Sequence, residues 1–121
     1  MRVAKKIVIK LTCGESAPEK AATAFSVAAA ALASDIDVSF WLSGEAVMFA
    51  LNSGGYQVAI EHAPKSDEVI EELLAKAEVF ACSPCLMRRE ISKEDLKPGI
   101  KIAGATAFVR ELQDDVTALV Y

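Results

Sequence analysis

The residues best equipped for chemistry stand together in VFACSPCLMRRE, residues 79–90, where Cys82 and Cys85 are separated by Ser83 and Pro84 and followed by Arg88 and Arg89. A thiol becomes a useful nucleophile when its environment favours the thiolate, and a sulfur so activated can also carry another sulfur as a persulfide. A Cys-x-x-Cys pair therefore has several readings: a redox couple, half of a zinc site, one working thiolate with a bystander, or two small core residues. Zinc needs three or four ligands. The chain has one further cysteine, Cys13, and a single histidine, His62, and these would have to converge from separate loops. No metal or other cofactor is expected.

The local pattern distinguishes the two thiols. Apolar residues 78–82 read as a strand, and Pro84 suits the first turn of a helix over 84–91, so Cys82 is expected to end the strand and begin the helix. Free backbone N–H groups at a helix start favour a thiolate, as does an arginine folded back toward the sulfur. Cys82 is thus the candidate nucleophile. Cys85, about one helical turn on, is either a resolving thiol or an inward-facing residue.

These groups need a scaffold, and the rest of the chain describes one. At 121 residues, with 53% hydrophobic and 25% charged residues, the sequence can bury a single core and is no disordered segment. The mean hydropathy of +0.30 is high for such a domain. The run AFSVAAAALA (24–33) raises it, and apolar surface buried between subunits would do the same. A net charge of −4 gives no general attraction to a nucleic-acid backbone, so no direct nucleic-acid partner is expected. The longest nearly uncharged stretch, 21–34, is too short to span a bilayer, so no membrane partner is expected either. Residues 1–6 lead into only five strand-like residues, which is no secretion signal. Three cysteines without such a signal suggest a reducing cytoplasm.

Short β-branched or apolar runs at 5–11, 37–42, 56–62, 78–82, 100–104 and 116–121 read as strands. Helical patterns fill most of the intervals: 19–34 after Pro18, 43–53 with Ser43 as a cap candidate, 66–77 with Ser66 as the cap, 84–91 and 105–113. Nearly all-apolar strands alternating with helices predict a single-domain α/β three-layer sandwich around a mostly parallel sheet of five to six strands. In such sheets sites form beyond the carboxyl ends of the strands. That rule gathers Cys13, Ser43, His62 and Cys82 along one edge, and makes Cys13, Ser43, Arg88 and Arg89 candidates for binding a substrate or anion. Phe40 and Trp41 either line a pocket there or belong to the core. The TCGES loop (12–16) carries a glycine after a strand, but it has neither a Gly-x-Gly-x-x-Gly pattern nor a Walker lysine. The acids Glu68, Glu71 and Glu72 read as a solvated helix face.

Four segments in one order, IVIKLTCGESAPEKAATAFSVAAAALAS, VSFWLSGEAVMFAL, VFACSPCLMRRE and LKPGIKIAGATAFVREL, resemble the DsrE/DsrF-like family, including its TusD-like sulfur-relay proteins. The resemblance covers nearly the whole chain. It implies a parallel α/β fold that assembles as homotrimers or homohexamers. It also implies a candidate sulfurtransferase activity, with persulfide sulfur carried on one cysteine and exchanged with donor and acceptor proteins. That cysteine maps to Cys82, which is separated by five residues from Arg88-Arg89 as in the TusD-like pattern. Two departures stand out: Glu90 occupies a position usually held by glycine, and Cys85 is not part of the TusD-like pattern. No role carries over to Cys13. Two other readings remain open at this level, a non-catalytic oligomeric binding module and a thiol–disulfide redox protein using Cys82 and Cys85.

Overall fold

The structure, a computed structural model, describes residues 5–121, so what was read from residues 1–4 lies outside it. Five strands form the sheet: β1 (Lys6–Leu11), β2 (Asp37–Leu42), β3 (Glu78–Cys82), β4 (Lys101–Ala103) and β5 (Val116–Val120). They lie in the order β4-β3-β2-β1-β5, and every pair is parallel. Four α-helices accompany them: α1 (Pro18–Ala33), α2 (Ser66–Lys76), α3 (Ser83–Arg88) and α4 (Ala105–Glu111). The chain is a single α/β domain with helices on both sides of the sheet.

The strand register sorts side chains onto two unlike faces. Ile7, Ile9 and Leu11 lie opposite Val38, Phe40 and Leu42, and the last two lie opposite Val79 and Ala81. Because side chains alternate along a strand, this makes one unbroken apolar face. Helices α1 and α2 pack on it. Fully buried alanines at 21, 24 and 28 let α1 approach closely, and Phe25 stacks on Phe40 with ring centroids 5.2 Å apart. Pro18 fills the first turn of α1, where its missing N–H costs no hydrogen bond.

The other face carries Lys6, Val8 and Lys10 from β1, Ser39 and Trp41 from β2, and Glu78, Phe80 and Cys82 from β3. Connections between successive parallel strands are right-handed, so stepping one way from β1 to β3 keeps α1 and α2 together. The return from β4 across the sheet to β5 puts α4 on the opposite side, where Phe108 meets Trp41 edge-on at 5.2 Å.

Two sequence expectations are corrected. Residues 56–62 are not a strand, so the sheet has five strands and not six. The places beside β2 are taken by β1 and β3, and the segment instead spends its backbone groups locally. The N–H of Val58 bonds to the Ser66 hydroxyl at 2.8 Å and its carbonyl accepts from the Ser66 N–H at 2.9 Å, while the N–H of Tyr56 reaches the Met48 carbonyl. The apolar alternation there is that of a loop laid on the core, with Val58 buried. The same bonds correct Ser66, whose hydroxyl anchors this loop and does not cap α2. Residues 44–50 form a 3-10 segment that begins after Ser43.

Candidate functional site

Since all strands are parallel, their carboxyl ends share one edge, where Cys82 ends β3, Ser43 with Gly44 follows β2, and Cys13 lies just past β1. Cys82 occupies the residue before α3, with Pro84 in the first turn of that helix. By strand alternation its side chain belongs to the Trp41 and Phe80 face. Cys85 lies one turn later, 5% exposed, with its sulfur facing the turn after β2.

The donors gather on Cys85. Its Sγ accepts the Gly44 N–H at 3.2 Å, lies 3.7 Å from the Ser43 Oγ, and receives the Arg88 guanidinium at 3.8 Å. Gly44 presents its N–H from a left-handed backbone, φ +57°, where a side chain would also crowd the Thr12 carbonyl. Arg89 hydrogen-bonds the Cys85 carbonyl at 3.1 Å and holds the turn. Burial pushes the Cys85 thiol up, but the hydrogen bonds from Cys82, Gly44 and Ser43 and the charge of Arg88 outweigh it and bring the pKa below its ordinary value. For Cys82, burial and the neighbouring Cys85 sulfur together leave the pKa raised, despite hydrogen bonds that oppose them. The two thiols titrate as a pair, with the thiolate favoured at Cys85. This reverses the expectation that the helix start and the arginines act on Cys82, because the arginine that folds back meets Cys85.

The other sequence candidates fall outside this cluster. Cys13 lies on the same edge, but its sulfur faces the Ala17 carbonyl at 4.0 Å, and burial raises its pKa. His62 does not follow a strand; it is a left-handed loop residue, 95% exposed, whose one charged neighbour among the described residues is Glu61 at 4.0 Å. Among the described residues no group of three or more His, Cys, Asp or Glu side chains is placed to hold a metal. No helix among them is long and apolar enough to cross a membrane.

Cys82 also borders a cavity of about 70 Å³ lined by Lys10, Trp41, Ser43, Cys82 and Phe108, with Pro84 and residues 103–105 closing it. Lys10 holds its ammonium 4.4 Å from the centre of the Phe108 ring. The Trp41 indole stacks on Phe80 at 4.2 Å, and its N–H is buried without a hydrogen-bond partner among the described residues. Sequence reasoning left Lys10 out of the site. Its signal was a charge inside a strand otherwise built for burial, IVIKL. A larger open groove of about 730 Å³ is lined by Met48, Tyr56, Arg89 and the carboxylates of Glu45, Glu94 and Asp95.

The DsrE/DsrF-like family model matches residues 5–121. The chain belongs to the DsrE/DsrF-like family. Solved structures share its fold. The ychN protein from E. coli superposes with a TM-score of 0.79 at 21% identity, covering 97% of this chain and 99% of its own. The protein of unknown function MTH1491 from Methanobacterium thermoautotrophicum gives 0.67 at 14% identity, covering 98% and 100%. BT1422 from Bacteroides thetaiotaomicron, also of unknown function, gives 0.60 at 18%, covering 97% and 95%. No curated protein matches the chain. The fold shared with these structures extends over nearly the full length of the chain.

Proposed function

We propose that this DsrE/DsrF-like protein is a sulfur-relay protein, a sulfurtransferase in which Cys82 accepts a sulfane sulfur and passes it to a partner's thiol. The observation that carries the reading is the placement of Cys82 between a cavity and the buried Cys85 sulfur, on which hydrogen-bond donors converge. Cys82 borders open space, while the Cys85 sulfur is held by Gly44, Ser43 and Arg88. The Cys85 thiolate takes the proton of Cys82. The Cys82 sulfur then attacks the outer sulfur of a donor persulfide, R–S–SH, forming a new S–S bond. The donor's S–S bond breaks, and R–S⁻ leaves with the electron pair and picks up a proton. Cys82 then carries –S–SH, and an acceptor thiolate removes the outer sulfur by the same step in reverse. In this reading Arg88 stabilises the anion and Arg89 fixes the turn that presents it.

The chain works as a homotrimer or homohexamer in a reducing cytoplasm. Exposed apolar side chains, Met87 at 73% and Val120 at 64%, favour self-association.

A second reading, thiol–disulfide redox chemistry, is favoured by the linked titration of the two cysteines. There the Cys85 thiolate attacks the inner sulfur of Cys82–S–SH, giving the Cys82–Cys85 disulfide and releasing HS⁻. Mass spectrometry after incubation with a persulfide donor separates the two. Relay predicts a gain of one sulfur atom on wild type that is lost in Cys82→Ser and acquired more slowly in Cys85→Ser, whereas the redox reading predicts a persulfide that accumulates only in Cys85→Ser. Wild-type protein that takes up no sulfur but forms a reversible Cys82–Cys85 disulfide overturns the relay.

A further inference from the structure

Three features meet at the cavity beside Cys82 that neither packing nor the thiol pair requires. The first is Lys10, a cation on a parallel strand, which lines the cavity and makes no ion pair among the described residues. Its ammonium rests on the Phe108 ring, an arrangement that leaves N–H donors for an anion. The second is Trp41, 3% exposed, whose aromatic ring lines the cavity alongside Lys10 and Phe108 and gives it a polarisable wall. The third is size. A cavity of about 70 Å³ holds roughly two water-sized atoms, since one water takes about 30 Å³. The organic part of a donor does not fit, whereas one sulfur attached to Cys82 does.

We infer that this cavity is the seat of the outer, anionic sulfur of a persulfide on Cys82, held by the Lys10 ammonium between the Trp41 and Phe108 rings. The inference rests on the relay reading and names its ligand class: a terminal sulfane sulfur carried as –S–S⁻, presented at the cavity mouth by a donor whose remaining atoms stay outside. Lys10 stabilises the loaded state, and the Trp41 and Phe108 rings cover the outer sulfur. Transfer out requires the acceptor thiolate to reach the same mouth, so a small or extended acceptor cysteine is favoured over one recessed in a folded surface.

Trp41 is the sole tryptophan of the chain, which gives the seat its own optical signal. Wild type, Lys10→Met, Lys10→Arg and Cys82→Ser are treated with glutathione persulfide, and sulfur loading is read by mass alongside tryptophan emission. Cyanide then removes the outer sulfur as thiocyanate and regenerates the Cys82 thiolate. Loaded wild type is expected to show quenched Trp41 emission that cyanide restores, and Cys82→Ser no change. Lys10→Met keeps the length and apolar contact of the side chain without its charge. It is expected to lose its outer sulfur to cyanide roughly tenfold faster, as when a charge-assisted contact is removed, with Lys10→Arg close to wild type. Circular dichroism confirms that each variant is folded. Wild type that loads sulfur with unchanged Trp41 emission, and a Lys10→Met persulfide as long-lived as wild type, would overturn the seat and leave the relay intact. Wild type that loads no sulfur overturns the relay and the seat together.

Discussion

The two faces of the sheet are built to opposite specifications. Under α1 and α2 every inward position from β1 to β3 is apolar, and the Phe25 ring packs against those of Phe40 and Phe49 at 5.2 and 5.1 Å. Under α4 the sheet carries two lysines, a glutamate, a serine, an indole and a thiol, and the Ser39 hydroxyl and Trp41 indole nitrogen are buried without partners among the described residues. The first face gains stability from close packing. The second gives some of it up, and it is the one that adjoins the cysteines. A domain of this size can concentrate polar groups on one face because the other supplies most of the core.

The comparison is broken most directly by truncating an aromatic residue on each face. Phe40→Ala removes a fully buried ring between Phe25 and the sheet, and about 3–5 kcal/mol of stability should go with it. Phe108 is half-buried beneath a seven-residue helix, and Phe108→Ala should cost only about 1–2 kcal/mol. Urea midpoints measure both. Equal losses would mean that the α4 face carries as much of the core as the α1 face.

The seam between the faces is sharpened by Gly44, whose N–H reaches the Cys85 sulfur from a φ of +57°. Gly44→Ala should cost about 1 kcal/mol for the left-handed backbone. It should also move the donor, so that the pKa of Cys85 rises toward that of an ordinary thiol. Alkylation of Cys85 followed against pH, with mass detection at each cysteine, reads this shift. An unchanged profile would assign the acidity to Arg88 and Ser43 alone.

Much of this architecture is legible in the sequence because it rests on local periodicity. The apolar strands, Pro18 at the start of α1 and the acidic first turn of α2 all carry their signals within a few residues. Glu90 is a finer case. It stands where glycine is usual in the family, and the structure holds it left-handed at φ +55° beyond α3, with the Ile91 N–H bonded to the Leu86 carbonyl and the Glu90 N–H to Met87. That is a helix-ending motif in which glycine avoids a Cβ penalty. The misread features depend on contacts between distant segments. Residues 56–62 alternate like a strand, yet both places beside β2 are taken by β1 and β3, and the segment's backbone bonds to Ser66 and Met48 instead. The Cys-x-x-Cys spacing and the arginines were visible, but which sulfur meets Arg88 is decided by the turn after β2, some 41 residues away from Cys85 in sequence. Lys10 and Phe108 come together only because α4 crosses back over the sheet.

The smallest expected effect tests whether the charges on the α4 face stabilise it at all. Glu78 hydrogen-bonds Lys101 at 2.7 Å and lies 3.4 Å from Lys6, and these contacts hold its pKa below the ordinary glutamate value against a weaker opposing push from burial. A carboxylate whose folded pKa is depressed contributes stability that is fully present above its unfolded pKa, about 4.3, and is lost as the pH falls through the folded value. The Glu78 side chain is 43% exposed, so solvent screens the pairs and the contribution at neutral pH should stay below about 1 kcal/mol. Glu78→Gln should therefore be slightly less stable than wild type at neutral pH, and the gap should close once both proteins are in acid below the folded pKa. Urea midpoints of the two proteins across that range give the answer. A gap that persists unchanged in acid would trace the loss to altered packing beside Phe80, and the polar face would then owe nothing measurable to its ion pairs.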